Sequence, residues 1–91
     1  MPKLLWGLAL GPAAVSFLDG MQPGKMRAQV VKRVKLLQHD PHPAGCKKLV
    51  DMKNGTEPIW RVRSGDYRIL YVVRAQEVVV TDIDHRKDVY R

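Results

Sequence analysis

The stretch Trp60-Arg61-Val62-Arg63-Ser64-Gly65-Asp66-Tyr67-Arg68-Ile69-Leu70-Tyr71 constrains this chain more than any other. Ser-Gly-Asp between two alternating runs signals a hairpin. Gly65 can take the positive φ that the first central position of a type II′ turn requires. With Gly65 and Asp66 as loop residues, Ser64 faces Tyr67 and Arg63 faces Arg68. Side chains alternate along a strand, so Arg61, Arg63 and Arg68 fall on one surface. Trp60, Val62, Tyr67, Ile69, Tyr71 and Val73 fall on the other.

An arginine directly opposite another destabilises an antiparallel pair, by an amount comparable to the roughly 0.2–1 kcal/mol of a good cross-strand pair. A bound anion would remove that cost. Taken singly, each arginine reads as an ordinary solvated surface charge. Three on one face of a short hairpin point toward an anion site.

The 91 residues, 45% of them hydrophobic, are enough for a single domain, 1–91. A formal charge of +7 points to a polyanionic partner, either nucleic acid or an acidic protein, unless it serves solubility alone. Cys46 is the sole cysteine, which excludes an internal disulfide, a Cys-rich zinc site and a CxxC redox pair, and suits a reducing cytoplasm. The opening Met-Pro-Lys and the apolar run Leu4–Leu10 superficially resemble a secretory leader. The run is short, stops at Gly11-Pro12 and passes straight into an amphipathic pattern, so it is read as part of the fold. No segment has the length to span a membrane, and no membrane partner is expected.

In chain order, residues 3–9 read as a first strand bounded by Pro2 and Gly11-Pro12. Pro12 then opens a short helix with Ala14, Phe17, Leu18 and Met21 at helical spacing. After Pro23-Gly24 a second helix is expected from about Lys25 to His39, burying Met26, Val30, Val34 and Leu37 with Val31 beside them. Its other faces carry Lys25, Arg27, Lys32, Arg33 and Lys35 and no acidic residue. That is either a solvated face or a surface for nucleic-acid backbone or an acidic protein. Asp40 to Gly45 is a loop by composition. Its neighbours His39 and His42 lack the Cys or carboxylate company of a metal site. Lys47, Lys48 and Lys53 extend the positive charge toward the hairpin, and Asn54-Gly55 signals a turn. Ala75-Gln76 marks a further turn, followed by the β-branched strand Val78–Ile83. The expected fold is α+β: a strand, two N-terminal helices, then a three-stranded antiparallel sheet.

Phosphate-cradling glycine loops, HExxH and Gly-x-Ser-x-Gly are missing from the sequence. What remains is a set of guanidinium groups with one imidazole and one phenol: Arg61, Arg63, Arg68, His85, Arg86 and Tyr90. Guanidinium is planar, permanently charged and matched to phosphate oxygens, so such a set can hold a phosphodiester and neutralise the charge of a pentacoordinate transition state. It could direct a ribose 2′-hydroxyl at the adjacent phosphorus without metal or cofactor. Proton transfer is the difficulty, because arginine is a poor base; His85 or Tyr90 would have to help, or the reaction must lean on positioning and electrostatics.

Lys47-Lys48-Leu49, the run Ile59–Tyr71 and Asp84-His85-Arg86-Lys87-Asp88-Val89-Tyr90 resemble the RelE group of the RelE/ParE toxin superfamily of bacterial and archaeal toxin–antitoxin systems. The likeness covers essentially the whole chain. It implies a small α+β toxin that enters the ribosomal A site, cleaves mRNA by 2′-hydroxyl attack, and is blocked by an acidic cognate antitoxin in a hetero-oligomer. It implies that Arg61 and Arg63 stand where some relatives place lysines that assist proton transfer. Arg68 then binds the scissile phosphate, Arg86 protonates or stabilises the leaving oxygen, and Tyr90 positions substrate. Arginine at both lysine positions departs from that pattern and shifts the expected role toward charge stabilisation. Lys25, Arg27, Lys32, Arg33, Lys35, Lys47, Lys48 and Lys53 would meet ribosomal RNA. Two other readings stay open: a ParE-like inhibitor of DNA gyrase, and a basic module that binds nucleic acid without cutting it.

Overall fold

Period-two alternation makes the second half of the chain a meander of strands, while proline and glycine cut the first half into short helices. The computed structural model describes residues 5–85, the side chains of 50–54 excepted. The elements are β1 (Gly7–Leu10), α1 (Pro12–Gly20), α2 (Lys25–Leu36), β2 (Lys47–Asn54), β3 (Glu57–Ser64), β4 (Tyr67–Arg74) and β5 (Glu77–His85). They form one sheet of order β1-β5-β4-β3-β2, antiparallel from β2 to β5, with β1 parallel to β5.

The sheet therefore has five strands where three antiparallel ones are expected from the sequence. The α+β class holds, and a strand and two helices precede the antiparallel strands as expected, but β2 is an additional strand in that order. No strand is expected over residues 47–54, because Lys-Lys-Leu-Val-Asp-Met-Lys-Asn is too charged to alternate cleanly. The segment nonetheless pairs with β3, its one neighbour, and a bulge interrupts the pairing between Leu49 and Lys53. Strands with one neighbour tolerate charge, and exposed lysines there discourage further pairing. On the far edge, the Gly7 and Gly11 N–H groups donate to the Gln76 and Val80 carbonyls, each at 2.8 Å.

The expected faces of the hairpin are the observed ones. Val62, Ile69 and Tyr71 join Val78, Val80 and Ile83 against Ala14, Leu18, Val30, Val34 and Leu37 in the main core, flanked by Trp60, Tyr67 and Val73. Both helices lie on this side of the sheet. Met26, expected in the buried stripe, is 48% exposed. It sits in the first turn of α2, over a hollow lined by Met21, Pro23 and Tyr67. The helix stops at Leu36, short of His39. Past it the chain tightens into three-residue steps, with the Leu37, Gln38 and His39 N–H groups donating to Val34, Lys35 and Leu36. Gln38 then ties the start of β1 to the end of α2. Its carbonyl accepts from the Trp6 N–H at 2.9 Å, and its amide donates to the Trp6 carbonyl at 3.0 Å.

Tyr71 has no solvent exposure, and its hydroxyl donates to the Pro41 carbonyl at 2.7 Å, fixing the α2–β2 loop to the core. Burial, and then the neighbouring Cys46, push its ionisation well above the ordinary phenol range. The fold thus favours the neutral phenol. That contribution is complete below about pH 10, the unfolded value, and is lost as pH rises beyond it. Thermal melts should show wild-type stability falling above about pH 10, whereas Tyr71→Phe lacks that alkaline component and is weaker by about 1–2 kcal/mol at neutral pH. The β4–β5 turn supplies a second test. Ala75 (φ 44°) and Gln76 (φ 61°) are both left-handed, the pattern of a type I′ turn built without its preferred residues. Replacing Ala75-Gln76 with Asn-Gly should stabilise by about 1 kcal/mol and raise Tm by roughly 4–8 °C in a melt.

Candidate functional site

The side of the sheet away from the helices carries the arginines, and strand register sets their order. Arg63 lies opposite Arg68, and Arg68 opposite Asp84, making one row across β3, β4 and β5. Beside it runs Lys47, Arg61, Leu70, Asp82 across β2 to β5. The surface grades from cationic over β2 and β3 to acidic at β5. The hairpin that builds it has the expected register, with Ser64 opposite Tyr67 and φ 59° at Gly65.

An irregularity in β5 brings Asp84 to this row. Counted back from the Arg74–Glu77 pair without interruption, Arg68 would face Ile83. The register shifts between the Tyr71–Val80 and Leu70–Asp82 pairs, leaving Thr81 as the extra residue. The Thr81 hydroxyl donates to the Leu70 carbonyl at 3.3 Å. Past the bulge Ile83 turns into the core while Asp82 and Asp84 face the arginines. Asp84 accepts two bonds from Arg68, Nε to Oδ1 at 3.1 Å and Nη2 to Oδ2 at 3.2 Å. The paired side chains are 20% and 31% exposed. This fork offsets the repulsion between Arg63 and Arg68 that the sequence implied. Asp84 is not among the candidates that the sequence offers, because its place depends on the bulge.

Arg61 is less well compensated. Its Nε is buried and has no hydrogen-bond partner among the described residues. Burial, then Arg63 and Arg68, lower its pKa from the ordinary guanidinium value. A buried donor without an acceptor costs about 1–3 kcal/mol, so an anion over Arg61 would meet a prepared cation. Arg63 is exposed.

The other candidates separate. His85 lies opposite Tyr67, hence on the helix side, with its ring edge-on to Tyr67 at 5.0 Å between centroids. It is therefore not grouped with the arginines as the sequence suggested. Beside it Ser16, Phe17, Gly20 and Met21 complete a hollow of about 450 Å³. Arg86 and Tyr90 lie outside the described residues, as does the side chain of Lys53. Lys47 faces the arginine side, and Lys48, opposite Trp60, the helix side.

The cations of α2 belong to the helix layer. Arg27, Lys32, Lys35 and His39 line an open hollow of about 390 Å³ floored by Ala28, Val31 and Leu36. Arg27 also donates from Nε to the Leu18 carbonyl at 3.1 Å, closing the end of α1. Lys25 is exposed and Arg33 half-buried, and neither lines this hollow. Leu70 and Val72, on the arginine side of the sheet, are 3% and 0% exposed. With Ile59 they form a second small core. Among the described residues no three His, Cys, Asp or Glu side chains gather as a metal site would need, and no helix is long and apolar enough to cross a membrane.

The fold has well-matched counterparts among solved structures. The archaeal RelE–RelB complex from Pyrococcus horikoshii OT3 matches with TM-score 0.73 and 21% identity over 89% of this chain and 94% of the other. The RelB–RelE antitoxin–toxin complex from Methanococcus jannaschii matches with TM-score 0.68 and 22% identity over 90% and 94%. The toxin–antitoxin complex RelBE2 from Mycobacterium tuberculosis matches with TM-score 0.70 and 25% identity over 90% and 99%. No curated relative matches by sequence. The family described as ParE toxin of type II toxin-antitoxin system, parDE, matches residues 12–90. A match over that much of the chain, on a fold shared with RelE complexes, makes this protein a member of the ParE toxin family within the RelE/ParE superfamily of type II toxin–antitoxin toxins.

Proposed function

We propose that this protein is the cytoplasmic toxin of a type II pair and acts as an endoribonuclease that cuts mRNA on the ribosome. The observation that carries the reading is the gathering of Arg61, Arg63 and Arg68 on one sheet face, with the buried Arg61 Nε lacking an acceptor among the described residues. Three guanidinium groups in two adjacent rows suit a bridging phosphate and the extra charge that grows on it as a ribose 2′-hydroxyl attacks. Arg61 and Arg63 stabilise that charge and Arg68 holds the scissile phosphate. From the resemblance, Arg86 attends the leaving oxygen and Tyr90 positions substrate. Lys47 extends the strip along the RNA. Lys25, Lys32 and Lys35, on the helix layer, attract ribosomal RNA at longer range.

An acidic antitoxin is the expected protein partner. Leu70 and Val72 are buried and cannot hold it, whereas Leu36, 44% exposed in the floor of the lysine-lined α2 hollow, gives such a partner an apolar foothold.

Inhibition of DNA gyrase is the second reading, favoured by the ParE description of the matching family. Programmed ribosomes separate the two. The protein should yield codon-positioned cuts in mRNA, and Arg68→Ala should slow them by about 10²–10³-fold while the fold persists in circular dichroism. Intact mRNA, together with cleaved DNA when gyrase is supplied, would transfer the assignment to gyrase. In a separate titration, binding of a short single-stranded RNA should weaken with salt. The log–log slope should shrink by about 0.7 for each of Arg61→Ala and Arg63→Ala.

A further inference from the structure

We propose that Asp84 is the proton acceptor of this site, taking the 2′-hydroxyl proton as the nucleophile attacks; this rests on the ribonuclease reading above. Arginines that hold a phosphate leave the proton unaccounted for, since a guanidinium stays charged. His85, the obvious imidazole, is on the other side of the sheet against Tyr67. Among the described residues in the two rows that hold Arg61, Arg63 and Arg68, the groups able to receive a proton are the carboxylates of Asp82 and Asp84 and the amine of Lys47. Lys47 and Asp82 are exposed. Asp84 is half-buried and anchored by two bonds to Arg68, 3.1 and 3.2 Å. A general base must be held within hydrogen-bond reach of its proton, and a carboxylate fixed in this way is already positioned.

Its location fits the chemistry. The 2′-oxygen must approach the phosphorus that the guanidinium groups hold, so its proton comes off beside that phosphate. Asp84 ends the row that begins with Arg63 and Arg68. In the step, the hydroxyl proton passes to a carboxylate oxygen of Asp84 and the O2′–P bond forms. The P–O5′ bond breaks with its electron pair on the 5′ oxygen, which takes a proton from water; the products are a 2′,3′-cyclic phosphate and a 5′-hydroxyl. Protonation also neutralises a carboxylate paired with Arg68. The guanidinium charge is thereby released toward the phosphate as negative charge builds there. The charged and titratable groups facing Asp84 from the strands of this side are Arg68, Arg63, Arg61, Lys47 and Asp82.

The test is single-turnover cleavage of mRNA on programmed ribosomes, tracked across pH for wild type, Asp84→Asn and Asp84→Glu. Asp84→Asn keeps size and one acceptor for Arg68 but loses the negative charge and the basic oxygen. It should cut about 10²–10⁴-fold more slowly at saturation, with the half-saturating ribosome concentration unchanged and the acid limb of the pH–rate profile flattened. Asp84→Glu should recover part of the rate together with a displaced acid limb. Near-wild-type cutting by Asp84→Asn overturns the proposal, as does slow cutting with the wild-type pH dependence, which would make Asp84 a positioning residue for Arg68. If Asp84→Asn does not fold by circular dichroism, Asp84→Glu decides, and an undisplaced acid limb counts against Asp84. Wild type that leaves mRNA intact sinks the ribonuclease reading and this step together. Wild type that cuts while the variants match it sinks the role of Asp84 alone.

Discussion

The two-residue alternation of the β3–β4 hairpin is the constraint on which the rest of this protein depends. It sends Val62, Ile69 and Tyr71 to one side, where the helices cover them, and Arg61, Arg63 and Arg68 to the other. Slipping the pairing by one residue would exchange the sides, burying guanidinium groups in the core and exposing its largest residues. Core packing and the cationic face are thus fixed by the same register. Gly65 secures it, because its left-handed φ of 59° closes a two-residue turn that leaves Ser64 opposite Tyr67.

The same register creates an electrostatic problem, and the neighbouring strand solves it. Arg63 and Arg68 face each other, and an uncompensated pair of like charges would loosen the centre of the sheet. One extra residue in β5, Thr81, rotates the remainder of that strand so that Ile83 seals the core and Asp84 meets Arg68 in a two-bond fork. Arg61 obtains no such partner within the described residues and keeps a buried Nε without an acceptor there. The face is therefore balanced toward β5 and unbalanced toward β3. On the proposed reading a phosphate is drawn toward the β3 side of the row, and Asp84 stands at its β5 end, across β4.

The positive charge of the chain is divided between two surfaces with different physical character. On the sheet, neighbouring register positions and the buried Nε of Arg61 make the arginines suited to one tightly held anion. On α2, exposed lysines around a shallow apolar floor suit a longer, more loosely matched polyanion or an acidic protein segment. The divided arrangement agrees with the proposed reading, in which the toxin meets both a nucleic acid and a protein inhibitor.

The sequence alone determined whatever depends on neighbours close along the chain. Alternation and Ser-Gly-Asp established the hairpin, its faces and its register; proline and glycine positions established the helices; the spacing of Val30, Val34 and Leu37 established what α2 buries. Contacts between distant segments were not legible. β2 is a strand because β3 offers its edge to a charged segment of no strand character of its own. Leu70 and Val72 are buried because Ile59 and its neighbours surround them, and Met26 is exposed because the first turn of α2 lies over the inter-helix loop. Most consequential for the site, the sides taken by Asp84 and His85 hang on one bulged residue. A bulge reverses the parity of everything beyond it, and its own stability comes from pairing across strands, which only the folded sheet supplies.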